Sequence, residues 1–138
     1  MISLHHTHLF ASNVDACIAF WRDHFGAVVL LDTAFAGARN VFMRVGEGRL
    51  HLYDQAPKHL GAGTVHHLGI ETDELEALVG RLRAAGVSVT DVRHHAEADY
   101  AMAQGPDDVL LELFQPHAER VGPALAAAGY FATVKARQ

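Results

Sequence analysis

The chain has one cysteine, Cys17, and therefore no internal disulfide, which fits a reducing cytoplasm. Cys17 lies in an apolar helical stretch and reads as a small buried hydrophobe. No apolar run approaches the roughly 20 residues needed to span a bilayer, so no membrane partner is expected. Met1 to Phe10 has no basic stretch, apolar core and small-residue cleavage site in succession, so no signal peptide is expected from it. Basic residues are outnumbered, 11 against 16 acidic, and no basic stripe is present, which argues against nucleic acid. No low-complexity segment occurs. What is present is 50% hydrophobic residues and 20% charged ones in 138, enough for one compact soluble unit with a real core. Eleven histidines are unusual for that length, and they are dispersed rather than gathered in a tag.

Two pairs of residues repeat at one offset. His6 maps onto His67 and His51 onto Glu112, each 61 residues on. The surrounding patterns repeat with them. Leu4 to Ala11 alternates as a strand. Ser12 or Asn13 offers an N-cap, with Asp15 in the first turn. Val14, Cys17, Ile18, Trp21 and Phe25 fall at helical spacing, and Gly26 closes that helix. Strands follow at Val28 to Leu31, Val41 to Val45 and Leu50 to Tyr53, with turns at Gly37 to Asn40 and Gly46 to Gly48. In the second half, Val65 to Glu71 reads as a strand. Thr72 or Asp73 caps a helix carrying Leu75, Leu78, Val79 and Leu82, closed by Gly86. Strands are expected at Val87 to Val92, Tyr100 to Ala103 and Val109 to Phe114, with a turn at Gly105 to Asp108.

The expected architecture is α+β: tandem βαβββ modules forming a curved mixed sheet around a central cleft. One domain, 1–138, divides into a first module at 4–54, a linker at 55–63, a second module at 64–116, and a C-terminal helix and tail at 117–138, the tail from Gly129 being loose or partner-bound. The helix, Ala118 to Ala128, should break near Gly122-Pro123.

Modules related by a pseudo-twofold axis place equivalent side chains on opposite sides of one cleft. His6, His51, His67 and Glu112 would then offer three imidazoles and a carboxylate to one cation. Such donors suit Fe, Zn, Ni or Mn better than Mg or Ca. A lone histidine on an apolar strand is usually a packed cleft residue; the matched offsets are what raise these four above that. Strand parity puts His8 and Phe10 on the face of His6, Arg49 and Tyr53 on that of His51, and Leu110 and Phe114 on that of Glu112. His8 is a general-base, ligand or substrate-contact candidate. Tyr100 and Met102 are expected to line the pocket. His5 and His66, also 61 apart, are expected to point away from it. Arg39 and Arg44 are candidates for an anionic substrate group.

Three segments resemble the vicinal oxygen chelate superfamily of glyoxalases, bleomycin-resistance proteins and extradiol dioxygenases. They are His6-Thr7-His8-Leu9 leading to Ile18-Ala19-Phe20-Trp21-Arg22-Asp23 and Phe25-Gly26; His67-Leu68-Gly69-Ile70-Glu71 leading to Leu82-Arg83-Ala84-Ala85-Gly86-Val87; and Pro106-Asp107 followed by Leu111-Glu112-Leu113-Phe114-Gln115-Pro116. The resemblance covers about residues 4 to 116. It implies a divalent metal held by His6, His67 and Glu112, with His51 as fourth ligand or near neighbour. It also implies a small-molecule substrate chelated through two neighbouring oxygens, lyase, isomerase or oxygenase chemistry, and a homodimer. Glu112, His51 and His8 are then the catalytic candidates, and Phe10, Arg49, Tyr53, Tyr100, Met102 and Phe114 the substrate contacts. His51 stands where glyoxalase I relatives carry a carboxylate, which leans the site toward nitrogen-rich coordination. The turn Gly105-Pro106-Asp107-Asp108 departs from the family's Asp-Pro-Asp-Gly. The rival implication is metal-free drug sequestration of the bleomycin-resistance type.

Overall fold

The computed structural model describes residues 1–61 and 63–134. The chain forms two compact units: residues 1–61 together with 106–108, and the remaining residues. Among the described residues no helix is long and apolar enough to cross a membrane.

The first unit runs β1 (Thr7–Ala11), α1 (Val14–Phe25), β2 (Val28–Phe35), β3 (Ala38–Val45) and β4 (Gly48–Asp54). Asn13 supplies the helix cap, its Oδ1 accepting the Ala16 N–H at 2.9 Å. Ser12 is engaged elsewhere, donating its N–H and its hydroxyl to the Asp107 carboxylate. Gly26, left-handed at φ 64°, ends the helix as its pattern predicts. The sheet order is β1-β4-β3-β2, with β1 parallel to β4. Val41, Met43, Leu50 and Leu52 are buried on one face of this sheet, as are Val14, Cys17 and Trp21 of α1. α1 packs on β4. The turn or loop expected at Gly37 to Asn40 is a two-residue hairpin turn one residue earlier, at Ala36-Gly37. Ala36 and Gly37 both take positive φ, 51° and 82°, the twist that lets two antiparallel strands continue to either side.

Burial and the Asp107 carboxylate push the Cys17 thiol up to about 11, only partly opposed by Trp21. The thiolate is the reactive form, so Cys17 is expected to resist a disulfide reagent at pH 8 in native protein and to react fully in urea. Rapid labelling of the native chain would contradict this burial.

The second unit repeats the topology with β5 (Leu68–Glu71), α2 (Leu75–Ala84), β6 (Arg93–His94), β7 (Ala98–Gln104) and β8 (Leu110–Pro116), followed by α3 (Pro123–Ala127). Its order is β5-β8-β7-β6, with β5 parallel to β8. The strand register carries the repeat: His8 pairs with His51, and Gly69 pairs with Glu112, both residues shifted by 61. On the next strand Phe42 faces His51 while Met102 faces Glu112, a shift of 60. The hairpin before β8 is one residue longer than its counterpart, three residues lying between the bonded Gly105 and Val109 where two lie between Val45 and Gly48.

Three expectations need correction here. β1 and β5 begin at Thr7 and Leu68, not at Leu4 and Val65. Val87 to Val92 forms no full strand; it pairs with β7 at an isolated bridge, Val89 to Ala103. Its ladder is interrupted because the Thr90 hydroxyl accepts the Met102 N–H at 2.9 Å, a side chain competing with a backbone partner. Neither Thr72 nor Asp73 caps α2; Glu74 occupies the cap position, and the Leu75 N–H donates to Gln115 Oε1 of β8 at 3.0 Å.

The chain breaks at Gly122-Pro123 as expected, with Pro123 opening α3. The tail is not loose over its described residues. Glu71 accepts the N–H groups of Ala132 and Thr133 at 2.8 Å and the Thr133 hydroxyl at 2.6 Å. Phe131 sets its ring edge-on to Phe114, 6.2 Å between centroids, and Val134 is buried. Residues 135–138 of the expected tail lie outside the described residues.

Where β8 ends, Asp99 Oδ1 lies 3.1 Å from His94 Nδ1 and 3.2 Å from His117 Nε2. These contacts are close but poorly aligned, leaving that buried oxygen without a straight hydrogen bond. The Ala96 carbonyl and then Asp99 raise the His117 pKa above its ordinary 6.5. For Asp99, burial opposes ionisation, but the imidazoles of His117 and His94 outweigh it and hold the carboxyl below its ordinary 3.8. The raised imidazole contributes stability below pH 6.5 that is lost as pH climbs through its folded pKa. The depressed carboxyl contributes above pH 3.8, and that contribution is lost as pH falls through its folded pKa. The cluster therefore stabilises most between those limits. In an Asp99→Asn variant the His117 pKa should fall only partway in an NMR titration, because the Ala96 carbonyl remains. A complete return to the ordinary value would assign the shift to Asp99 alone.

Candidate functional site

On the first unit, alternation turns Leu50 and Leu52 into the core and leaves His51 and Tyr53 on the other face. The parallel pairing of β1 with β4 sets His8 beside His51 and Phe10 beside Tyr53. His6 lies just before β1 and stacks on His51, ring centroids 3.6 Å apart and planes 14° apart. Phe42, the partner of His51 on β3, also stacks on the His51 ring, at 4.1 Å between centroids. One nitrogen from each of His5, His6 and His51 falls within 4.8 Å of the others. Burial first, and then the neighbouring imidazoles of His6, His8 and His5, lower the His51 pKa. That keeps His51 neutral near pH 7, with a lone pair free for a ligand or a proton. A cavity of about 510 Å³ opens on this face, lined by His6, His8, Phe10, Asn40, His51 and Tyr53 with parts of the β2–β3 hairpin.

On the second unit, His67 Nε2 sits 2.8 Å from Glu112 Oε2. At that distance the two groups contact each other directly; as adjacent ligands held about 2.1 Å from one ion they would stand about 3.4 Å apart in a tetrahedral site, slightly wider. Met102 faces Glu112 across the ladder and Tyr100 faces Phe114, which puts these four side chains on one face while Ala101, Ala103, Leu111 and Leu113 are buried on the other.

The sequence-predicted residues thus fall into two half-sets. His6, His8, Phe10, His51 and Tyr53 gather on the first unit, and His67, Glu112, Phe114, Tyr100 and Met102 gather on the second. Arg49 shares the face of His51 by parity but stays exposed and outside the cavity lining. Arg39 is not free for an anion: it donates to Asp32 twice, at 2.7 and 2.9 Å, and to Asp15 at 2.8 Å.

His5 and His66 correct the expectation most. Neither points away: His5 Nδ1 is 2.9 Å from His6 Nδ1, and His66 Nδ1 is 2.8 Å from His67 Nδ1. Strand parity failed because both precede their strands, where alternation does not apply. Their shared offset was the available signal. Phe35, Asn40 and Phe42 also line the cavity without having been predicted: Phe35 and Asn40 fell outside the expected strands, and the face of Phe42 within its strand was not assigned. Alternation of Asn40, Phe42 and Arg44 against Val41, Met43 and Val45 would have found two of them.

Structural likeness places this fold beside three solved proteins. A FosX variant from Listeria monocytogenes, complexed with Mn(II) and 1S,2S-dihydroxypropylphosphonic acid, is 20% identical with a TM-score of 0.73, covering 87% of this chain and 97% of that one. TnmS3, an antibiotic binding protein from Streptomyces sp. CB03234, is 24% identical with a TM-score of 0.69, covering 85% and 99%. A glyoxalase family protein from Enterococcus faecalis is 22% identical with a TM-score of 0.68, covering 81% and 96%. No curated protein matches significantly. Residues 3–113 match the family described as the Glyoxalase/Bleomycin resistance protein/Dioxygenase superfamily, and the chain belongs to that superfamily.

Proposed function

We propose that this protein is a divalent-metal-dependent enzyme acting on a small molecule, with His6, His67 and Glu112 as metal ligands and His51 as a fourth. The observation that carries the reading is the pairing of His67 Nε2 with Glu112 Oε2 at 2.8 Å, matched on the repeat-equivalent pair by His6 stacked on His51. Imidazole and carboxylate donors fit Fe, Zn, Ni or Mn. The bound ion would supply Lewis acidity toward two neighbouring substrate oxygens. His51, held neutral by burial, donates a lone pair. His8, 6.2 Å from His51 and 5.5 Å from Tyr53 between ring centroids, serves as the proton-transfer group. The reaction classes that this supports are a lyase or isomerase of glyoxalase type and an oxygenase. A homodimer belongs to the same proposal: β2, at the edge of its sheet, leaves Val28, Val29, Leu30 and Leu31 exposed.

Elemental analysis of protein purified without chelator tests the core of this, with stoichiometric metal expected. Protein that carries no metal and takes up none of Fe, Zn, Ni or Mn would end it. The aromatic cavity supports a second reading, sequestration of a drug-like molecule without metal, as the printed name of TnmS3 describes for that protein. A Glu112→Ala variant that retains full ligand binding and function would favour this second reading.

A further inference from the structure

On the second unit the chain's own tail lies on the counterpart of the first unit's cavity wall. Phe10 and Tyr53 line that cavity and are cross-strand partners. Their counterparts 61 residues on, Glu71 and Phe114, are cross-strand partners as well. The row continues over the sheet, Phe114 pairing with Tyr100 and Tyr100 with Arg93. Partners across a ladder share a face, because alternation runs in step on neighbouring strands. A carboxylate, two aromatic rings and a guanidinium therefore stand in line on the face of Glu112. At the far end Arg93 is engaged, its guanidinium 5.9 Å from the centroid of the Tyr100 ring. The tail takes the near end. Phe131 sets its ring edge-on to Phe114 and to Tyr130, at 6.2 and 4.9 Å between centroids. Glu71 accepts the Ala132 and Thr133 N–H groups and the Thr133 hydroxyl. All three donors are uncharged. A cation offering two parallel N–H groups holds a carboxylate more strongly than neutral donors do. The tail also lies beyond residues 3–113, the part of the chain that the superfamily pattern matches.

We propose that the second unit carries a ligand site at Glu71 and Phe114, which the tail occupies and which a small molecule joining an aromatic ring to a cationic N–H donor, such as an amidinium, takes by displacing it. The ring replaces that of Phe131 against Phe114, in a stacked or edge-on geometry. The cation replaces the tail's donors on the Glu71 carboxylate and adds the charge they lack. The first unit has Phe10 where this site has Glu71, so the two places differ in the charge they accept. Phe114 and Tyr100 belong to the second half-set, so as a statement of substrate this rests on the enzymatic reading above; as a statement of binding it needs no metal.

The test titrates the full chain, stripped of metal, with benzamidine, benzamide and benzoate, three probes of one shape and different charge. Saturable binding of benzamidine is expected, about tenfold tighter than that of benzamide. The amide signals of Glu71 and Phe114 should shift, and the Ala132 and Thr133 amides should exchange faster as the probe displaces them. Thr133→Pro removes two of the three donors and leaves Glu71 and Phe114 in place. Benzamidine should bind this variant about tenfold tighter, because the tail no longer competes for the site. Glu71→Gln should erase the preference over benzamide. Weaker binding to Thr133→Pro would make the tail a wall of the site instead of its occupant, and would overturn the inference. So would equal affinity for benzamide, tightest binding of benzoate, shifts confined to Phe10 and Tyr53, or tail amides that exchange no faster at saturation. Should either variant fail to fold, the shifts and exchange rates of the unaltered chain decide alone. Failure to take up metal, by contrast, would sink the proposed enzyme and leave these titrations untouched.

Discussion

Replacing Glu112 by alanine is expected to lower divalent-metal affinity by more than about 100-fold, since losing a mere outer-sphere partner already costs 10–100-fold at metal sites. Metal-dependent turnover should disappear with it. The half-exposed carboxylate pairs with His67 at 2.8 Å, so the variant removes a donor and also frees the imidazole it orients. His67→Ala should behave alike. Competition titration against a chromophoric chelator gives the affinities, and the thermal midpoint gives an independent reading, because a ligand that binds only the folded state raises stability by mass action. Added metal should raise the midpoint of the unaltered chain and leave that of Glu112→Ala unmoved. Equal affinity in both proteins would remove Glu112 from the ligand set.

Trp21→Ala is expected to cost about 3–5 kcal/mol, the range for truncating a large buried aromatic residue. Trp21 is 1% exposed and anchors α1 in the core of the first unit. A loss of that size would lower the thermal midpoint on the order of 10–20 °C. Trp21→Phe should cost less. It keeps most of the apolar bulk and deletes an indole N–H whose only neighbour of note is the weakly accepting Cys17 sulfur. Trp21 is the sole tryptophan, so urea unfolding is best followed by circular dichroism. A cost below about 1 kcal/mol for Trp21→Ala would show that α1 is not held by this side chain.

Much of the fold was legible because it is written in short-range patterns. Helical spacing gave the buried stripe of α1, and Asn13 and Gly26 marked its ends. Strand alternation correctly separated Leu50 and Leu52 from His51 and Tyr53. The equal offsets of the two candidate pairs reappear as equal register in two separate sheets. What failed was local reading at places where a distant group decides. Thr90 diverted a ladder bond through its hydroxyl, Gln115 capped α2 from another strand, and Glu71 gathered the tail. The turn expected from Gly37 sits one residue earlier, at Ala36-Gly37, because an alanine at positive φ leaves little trace in the residue pattern.

By itself the sequence determined the duplicated α+β architecture, its buried faces, and the repeat that relates His6 to His67 and His51 to Glu112, because periodicity and a constant offset are properties of the chain. Tertiary structure alone decided that His5 and His66 join their neighbours, that Arg39 is consumed by Asp15 and Asp32, and that Asn40 buries an unanswered acceptor. Those outcomes depend on which groups meet across strands and turns. Hydrogen bonds and desolvation act over ångströms in space, whatever the separation along the chain.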